Sequence, residues 1–451
     1  MSARQRLTDW SLRQREGLRH YQPVQVLGRV QRVNGILLQC RLPEARIGDL
    51  CRIVRNAGQP ALLAEIVGFD RQDALLSALG GLEGIGVGAA VEPLGVPHRL
   101  RTGEDLLGQV LDGFGRPLDG SGPSAFAGPQ EQNAVTVLGE VVPATARPRI
   151  SRVLNTGIRA IDALLSVGEG QRLGLFAGAG CGKTTLLAEL ARNLDCDVIV
   201  FGLIGERGRE LREFLDHELD AGLRARAVLV CATSDRSSME RARAAFTATA
   251  LAEGFRRQGR RVLLLLDSLT RFARAQREIG LALGEPLGRG GLPPSVYTLL
   301  PRLVERAGLA EQGAITALYT VLVEQDSLND PVADEVRSLL DGHLVLSRKL
   351  AERGHYPALD VLGSLSRTFG NVADAAQIRC AAALRRLLSA YDQIELLLRL
   401  GEYRPGHDAL TDLAVERRGA IQSFLQQELR HPVAFDDTWD ALMELTADVP
   451  E

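Results

Sequence analysis

The residues Ala177-Gly178-Ala179-Gly180-Cys181-Gly182-Lys183-Thr184-Thr185 constrain this chain more than any other stretch. They form a phosphate-binding loop of the G-x-x-x-x-G-K-[ST] kind with Ala at its first position. Glycines let backbone N–H groups approach phosphate oxygens, a compact ammonium reaches the β- and γ-phosphates, and the Thr184 hydroxyl can ligate Mg²⁺. The lysine is informative because only two of the 53 Lys+Arg residues, Lys183 and Lys349, are lysine. A planar guanidinium fork does not fit the cradle that a point charge fills. The loop needs a strand before it and a helix after it, and both are legible. Leu173 to Phe176 is a short apolar run, and Thr184 to Ala191 carries helical periodicity without a breaker. Such a helix points its N–H groups and dipole at the phosphates.

A chain of 451 residues has ample length for several domains. Residues 1–23 read as a basic N-terminal segment. Residues 24–97 read as a small β-barrel, because short apolar stretches such as Gly35-Ile36-Leu37-Leu38 and Ala64-Glu65-Ile66-Val67 alternate with turn residues. A Gly/Pro-rich connection follows up to Ile150 and leads into an α/β nucleotide domain. That domain spans 98–372 and has a parallel sheet covered by helices. Residues 373–451 read as helical, with amphipathic helices at Ala381–Leu400 and Asp412–Leu429.

Net charge of −3 and 4% aromatic residues give no bulk attraction to nucleic acid. The apolar run Val262 to Leu266 is far too short to span a bilayer, and the Arg-rich start leads into no signal-peptide core. A cytoplasmic protein is therefore expected. The cysteines, Cys40, Cys51, Cys181, Cys196, Cys231 and Cys380, are scattered and read as free thiols. Cys181 fits either a tolerated small residue or an oxidation-sensitive thiol.

Two carboxylates complete the chemistry. Arg261 to Asp267 is a buried strand ending in an acid placed to orient Mg²⁺ and its waters. The same Asp267 also fits the start of a helix, since Ser268-Leu269-Thr270-Arg271 follows. Val198 to Ile204 is a second such strand, and Glu206 beyond its end can face the γ-phosphate and polarise water. A surface ion pair with Arg207 is the other use for Glu206.

Gly205-Glu206-Arg207-Gly208-Arg209-Glu210, the strand ending at Asp267, Pro294-Ser295-Val296-Tyr297 and His355-Tyr356-Pro357-Ala358-Leu359-Asp360 together resemble the catalytic subunits of rotary ATPases. The closer resemblance is to the type III secretion export ATPases. Ala232 to Arg241 and Ala333 to Ser338 resemble the virulence injectisome branch rather than the flagellar one. The resemblance runs from about Val24 to the C-terminus. It implies a RecA-like P-loop core behind an N-terminal barrel and before a C-terminal helical domain. Gly178, Ala179, Gly180, Cys181, Gly182, Lys183, Thr184 and Thr185 would hold ATP, with Thr184 and Asp267 on Mg²⁺. Glu206 would activate water with Arg207 beside it, Tyr356 would stack on adenine, and Arg367 would be an arginine finger for the neighbouring subunit. One departure is the loop Gly288 to Pro294, which has no aromatic before its Pro pair.

The implied function is ATP hydrolysis that energises type III secretion, releasing chaperones and unfolding cargo at the cytoplasmic face of the export apparatus. The implied partners are a homohexamer, a central stalk, export-gate and regulator proteins, and chaperone–cargo complexes. Peripheral inner-membrane association and no nucleic acid complete the expectation. The basic segment from Met1 to Tyr21 fits either an anchor to a partner or anionic membrane, or a solvated tail. A rotary synthase subunit would need unlike ring partners, and a flagellar export ATPase would share the same core. A hexameric RNA translocase would need a barrel with basic and stacking residues. Phe69 is the only aromatic between Val24 and Val91.

Overall fold

Strands that alternate inward apolar and outward polar residues close on themselves when neither edge has another partner. The computed structural model describes residues 5, 10, 11, 27–55, 59–128, 131, 133–323, 330–406 and 408–450. The basic segment 1–23 therefore lies almost wholly outside the described residues. In the first compact unit, which ends at Pro97, six strands form a closed antiparallel barrel. They are Gly28–Asn34, Leu37–Arg41, Asp49–Ile53, Leu62–Asp70, Asp73–Ala78 and Ala90–Pro97. Val30, Leu38, Cys40, Ile53, Ile66, Leu76 and Val91 fill its interior. Closure removes the unpaired edges that invite aggregation.

The second unit runs from His98 to Glu451 and is organised by a nine-stranded sheet. Its order is Leu359–Ser366, Gly342–Leu346, Arg172–Ala177, Ala314–Leu322, Arg261–Asp267, Val198–Ile204, Ala227–Ala232 and Val110–Leu111, with Gly308–Leu309 also pairing on Ala314–Leu322. All pairings are parallel except those of Leu359–Ser366 and Gly308–Leu309. Every residue of Val198–Ile204 is buried, as expected for a strand covered on both faces. The Gly/Pro-rich stretch up to Ile150 is more than a connection, because Val110–Leu111 extends the sheet as its edge strand. Two residues of strand carry too little periodicity to be seen in the sequence.

The helix Ser238–Arg257 packs closely on this sheet. Gly202 allows that approach, since a Cβ there would lie 2.3 Å from the Leu266 side chain and 3.0 Å from Ala248. The same helix carries Glu253, which receives Arg306 through two bonds of 2.8 and 2.6 Å. Both partners are almost fully buried, and Arg306 also donates to the carbonyl of Val137. Removing one member strands an uncompensated charge in the core. Arg306→Ala should therefore cost about 3–5 kcal/mol in chemical unfolding. A loss below about 1 kcal/mol would show that water reaches the site.

At the C-terminus the helices are Ala375–Leu400, Ala409–Glu416, Arg418–Leu425 and Phe435–Thr446. The first starts six residues earlier than its periodicity suggests, because Asp374 and Gln377 form a reciprocal capping box. The expected helix Asp412–Leu429 is instead two helices that meet at Arg417, and the chain leaves helical geometry after Leu425. Leu384, Leu387, Phe424, Trp439 and Leu442 join the same hydrophobic core as Leu173 and Leu175 of the sheet. Among the described residues no helix is long and apolar enough to cross a membrane.

Candidate active site

The strand Arg172–Ala177 delivers the loop 178–182 to the carboxyl edge of the sheet, and the helix Lys183–Asn193 leaves from it. Gly180 and Gly182 have φ of +79° and +82°, a region that side-chain-bearing residues rarely adopt. Gly182 is the residue before the helix, and no side chain caps its first turn. The first N–H groups thus remain available to an anion at the positive end of the dipole. Thr184 is exposed at this mouth and Thr185 lines the cavity beside it. Cys181 is buried among core residues, which fits the role of a small packing residue.

Two strands deliver carboxylates to Lys183. Its ammonium lies 2.6 Å from Asp267 Oδ1 and 3.7 Å from Glu206 Oε1. Asp267 ends its strand at the expected position. Ser268, one residue later, is the helix cap and accepts from the N–H of Arg271. Thr320, on the strand between those of Lys183 and Asp267, donates its hydroxyl to Asp267 Oδ1 at 2.6 Å. Glu206 follows Gly205, whose φ is +65°, and forms an ion pair with Arg271. All three charged side chains are largely buried, so their mutual field is little screened by water. Glu210 is held below its ordinary carboxylate value, first by a hydrogen bond with Glu206 and then by the charges of Arg207, Arg271 and Lys183.

Arg207 is not brought into this cluster. Its side chain is 79% exposed and pairs with Glu210 at 3.2 Å. The arginine that pairs with Glu206 is Arg271, on the helix after Asp267. In a chain this rich in arginine, no sequence signal singles Arg271 out. Thr320 was likewise invisible, because nothing in the sequence says which strand lies between two others.

Next to the loop lies a cavity of about 1120 Å³, lined by Gly180, Cys181, Gly182, Thr185 and Tyr356 on one side. A second wall comes from Gln426, Gln427, Leu429 and Val433, beyond the end of the helix Arg418–Leu425. Tyr356 is 43% exposed, and a Cβ on Gly182 would lie 3.8 Å from its ring. An aromatic face is thus presented beside the loop. The floor of the cavity includes Ile158 and Arg159. The preceding turn is held by Asp162, which accepts from the N–H and hydroxyl of Thr156. Burial pushes the Asp162 carboxyl up to about 7.

Arg367 lies elsewhere. Its N–H donates to the carbonyl of Asp341, whose own N–H donates to the carbonyl of Arg172. Arg367 therefore sits level with the start of the strand that ends at Ala177. At about 3.3 Å per residue the two ends are roughly 16 Å apart. Arg367 is exposed and follows the edge strand Leu359–Ser366.

The donor set also bears on a metal. Among the described residues no group of three or more His, Cys, Asp or Glu side chains could hold an ion. One hydroxyl and one carboxylate, Thr184 and Asp267, fit Mg²⁺, which keeps several waters and takes phosphate oxygens from its nucleotide.

Family models match most of the chain. The ATP synthase alpha/beta family, nucleotide-binding domain, matches residues 157–366, and that family's beta-barrel domain matches residues 30–95. The T3SS EscN ATPase C-terminal domain matches residues 373–444. The chain is 66% identical over 446 residues to the type 3 secretion system ATPase of Pseudomonas syringae pv. tomato, covering 99% of each. It is also similar to the assembled ATPase EscN of the enteropathogenic E. coli type III secretion system. There the TM-score is 0.85 at 44% identity, over 93% of this chain and 100% of EscN. EscN in complex with its central stalk EscO gives a TM-score of 0.83 at 43% identity, over the same shares.

Proposed function

Because the chain belongs to the type 3 secretion system ATPases, within the ATP synthase alpha/beta family, we propose that it hydrolyses ATP to energise type III protein secretion. The observation that carries this reading is the convergence of Lys183, Glu206 and Asp267 at the mouth of the phosphate loop.

In the proposed mechanism the loop N–H groups and Lys183 take the β- and γ-phosphates. Lys183 exchanges its contact with Asp267 for phosphate oxygens, which frees the Asp267 carboxylate. Thr184 and Asp267 would hold Mg²⁺, which would neutralise charge developing on the phosphates. Glu206, no longer shared with Lys183, polarises the attacking water. Arg271 keeps it in place. Tyr356 stacks on the base.

Arg367 supports a ring. It is too far from its own loop to touch the phosphates, yet sits on an exposed sheet edge where a neighbouring subunit's site can receive it. One chain carrying both Glu206 and an arginine finger is complete in a homohexamer. A synthase ring instead divides these parts between unlike subunits. The EscO stalk bound to EscN supports a central-stalk partner here. Chaperone–cargo complexes, export-gate and regulator proteins, and peripheral attachment to the inner membrane from the cytoplasm complete the proposal.

Glu206→Gln tests the chemistry. It keeps shape and removes the base, so ATP should still bind while turnover falls by about 10² to 10⁴. Normal turnover in this variant beside an inactive Asp267→Asn would reassign the base.

A further inference from the structure

Several hydrogen bonds anchor the second wall of the cavity, among them those from Arg159 to the carbonyls of Ser423 and Gln426 and from the N–H of Arg430 to Glu189, and the side chain of Gln427 makes three more. Gln427 lies just after the helix Arg418–Leu425. Its Oε1 accepts from the N–H of Arg159 at 3.0 Å. Its Nε2 donates to the carbonyls of Gly157 at 2.6 Å and His431 at 2.8 Å. Its backbone N–H donates to the carbonyl of Tyr356 at 2.9 Å. A primary amide has two N–H donors, and both are used, together with its acceptor oxygen.

These bonds join three segments that are far apart in sequence. The turn 156–159 belongs to the sheet core, fixed by Asp162. Gly157 meets the C-terminal chain closely: at its φ of +69° a Cβ would lie 2.7 Å from Pro432. The N–H of Val433 donates to the same Gly157 carbonyl at 3.0 Å. Tyr356 stands on the opposite side, tied through its own carbonyl to Gln427. Gln427 thus links the segment 426–433 to the turn 156–159 through its side chain and to Tyr356 through its backbone N–H, while Lys183, Glu206 and Asp267 have no part in the network.

We infer that Gln427 is a positioning residue for base recognition, holding Tyr356 and the segment 426–433 at the spacing a nucleobase requires, so that the C-terminal helices govern affinity for the base. The inference rests on the cavity being the nucleotide site.

The test separates base from phosphate, using the full-length chain with ATP and with inorganic tripolyphosphate as a competitor. Gln427→Ala removes three hydrogen bonds, some of which water replaces, so KM for ATP should rise about tenfold. The kcat should stay within about twofold and tripolyphosphate inhibition should be unchanged, because the phosphate side is untouched. On a Tyr356→Ala background, Gln427→Ala should add less than about twofold, since it acts through that ring. Gln427→Asn keeps the acceptor and both donors on a shorter side chain. It should fall between wild type and Gln427→Ala, and it serves if the alanine variant does not fold. An unchanged KM, an equal loss of ATP and tripolyphosphate binding, or a full effect on the Tyr356→Ala background each overturns the inference. If Tyr356→Ala itself binds ATP normally, the reading of the cavity fails first.

Discussion

Lys183→Ala is expected to abolish ATP hydrolysis and most nucleotide binding. The Lys183 ammonium is held by two acids, Asp267 at 2.6 Å and Glu206 at 3.7 Å. Removing it has two consequences. The phosphates lose their cation, and the two carboxylates are left in the mouth of the site to repel them. The loss should therefore exceed that from deleting an exposed positive charge, and turnover should fall below detection in a phosphate-release assay. Lys183→Arg restores the charge without the shape. A planar fork between Asp267 and Glu206 would satisfy both acids bidentately and stay with them instead of moving to phosphate. It should also be inactive while folding normally by circular dichroism. Near-normal turnover of Lys183→Arg would falsify the view that a compact, movable point charge is required.

The parts of this site legible in the sequence are those fixed by local geometry. A glycine-rich turn needing positive φ, a run of apolar residues ending in an acid and a helix start each leave a compact pattern. The strand Arg261–Asp267 and the loop at 178–182 accordingly fall where the pattern puts them. Barrel strands with alternating apolar residues were visible as a class, while Asp73–Ala78 and Ala90–Pro97 gave no individual signal. What the sequence hides is adjacency between distant segments. Thr320 reaches Asp267 because its strand lies between two others. Arg271 reaches Glu206 across two helix starts. Gln427 reaches Gly157 and Arg159 over some 270 residues of chain. Such contacts come from packing order, and each residue type involved is common enough to pass unnoticed.

Arg367→Ala should lower turnover by about 10³ to 10⁵ while leaving ATP binding intact, because the finger stabilises charge only in the transition state. Its own loop is a strand length away, so in the proposed ring the lost contact is with a neighbour. Complementation makes that testable. Lys183→Ala subunits have an intact finger and a dead loop, whereas Arg367→Ala subunits have an intact loop and no finger. Mixed in one ring, some neighbouring pairs join an intact loop to an intact finger, and those pairs should hydrolyse ATP although each variant alone is inactive. With free subunit exchange the recovered rate should peak near equal proportions and fall away on either side. Mass measurement of the rings establishes that mixing has occurred. Mixed rings with no recovery would mean either that Arg367 serves its own subunit or that every site in the ring must be competent. A tandem fusion of wild-type and Lys183→Ala subunits separates these. If alternate sites suffice, the fused ring retains about half the activity, and Arg367 must then be assigned to its own chain. If the fused ring is dead, turnover is obligatorily coupled around the ring, and the absence of recovery in mixed rings no longer counts against a finger in trans.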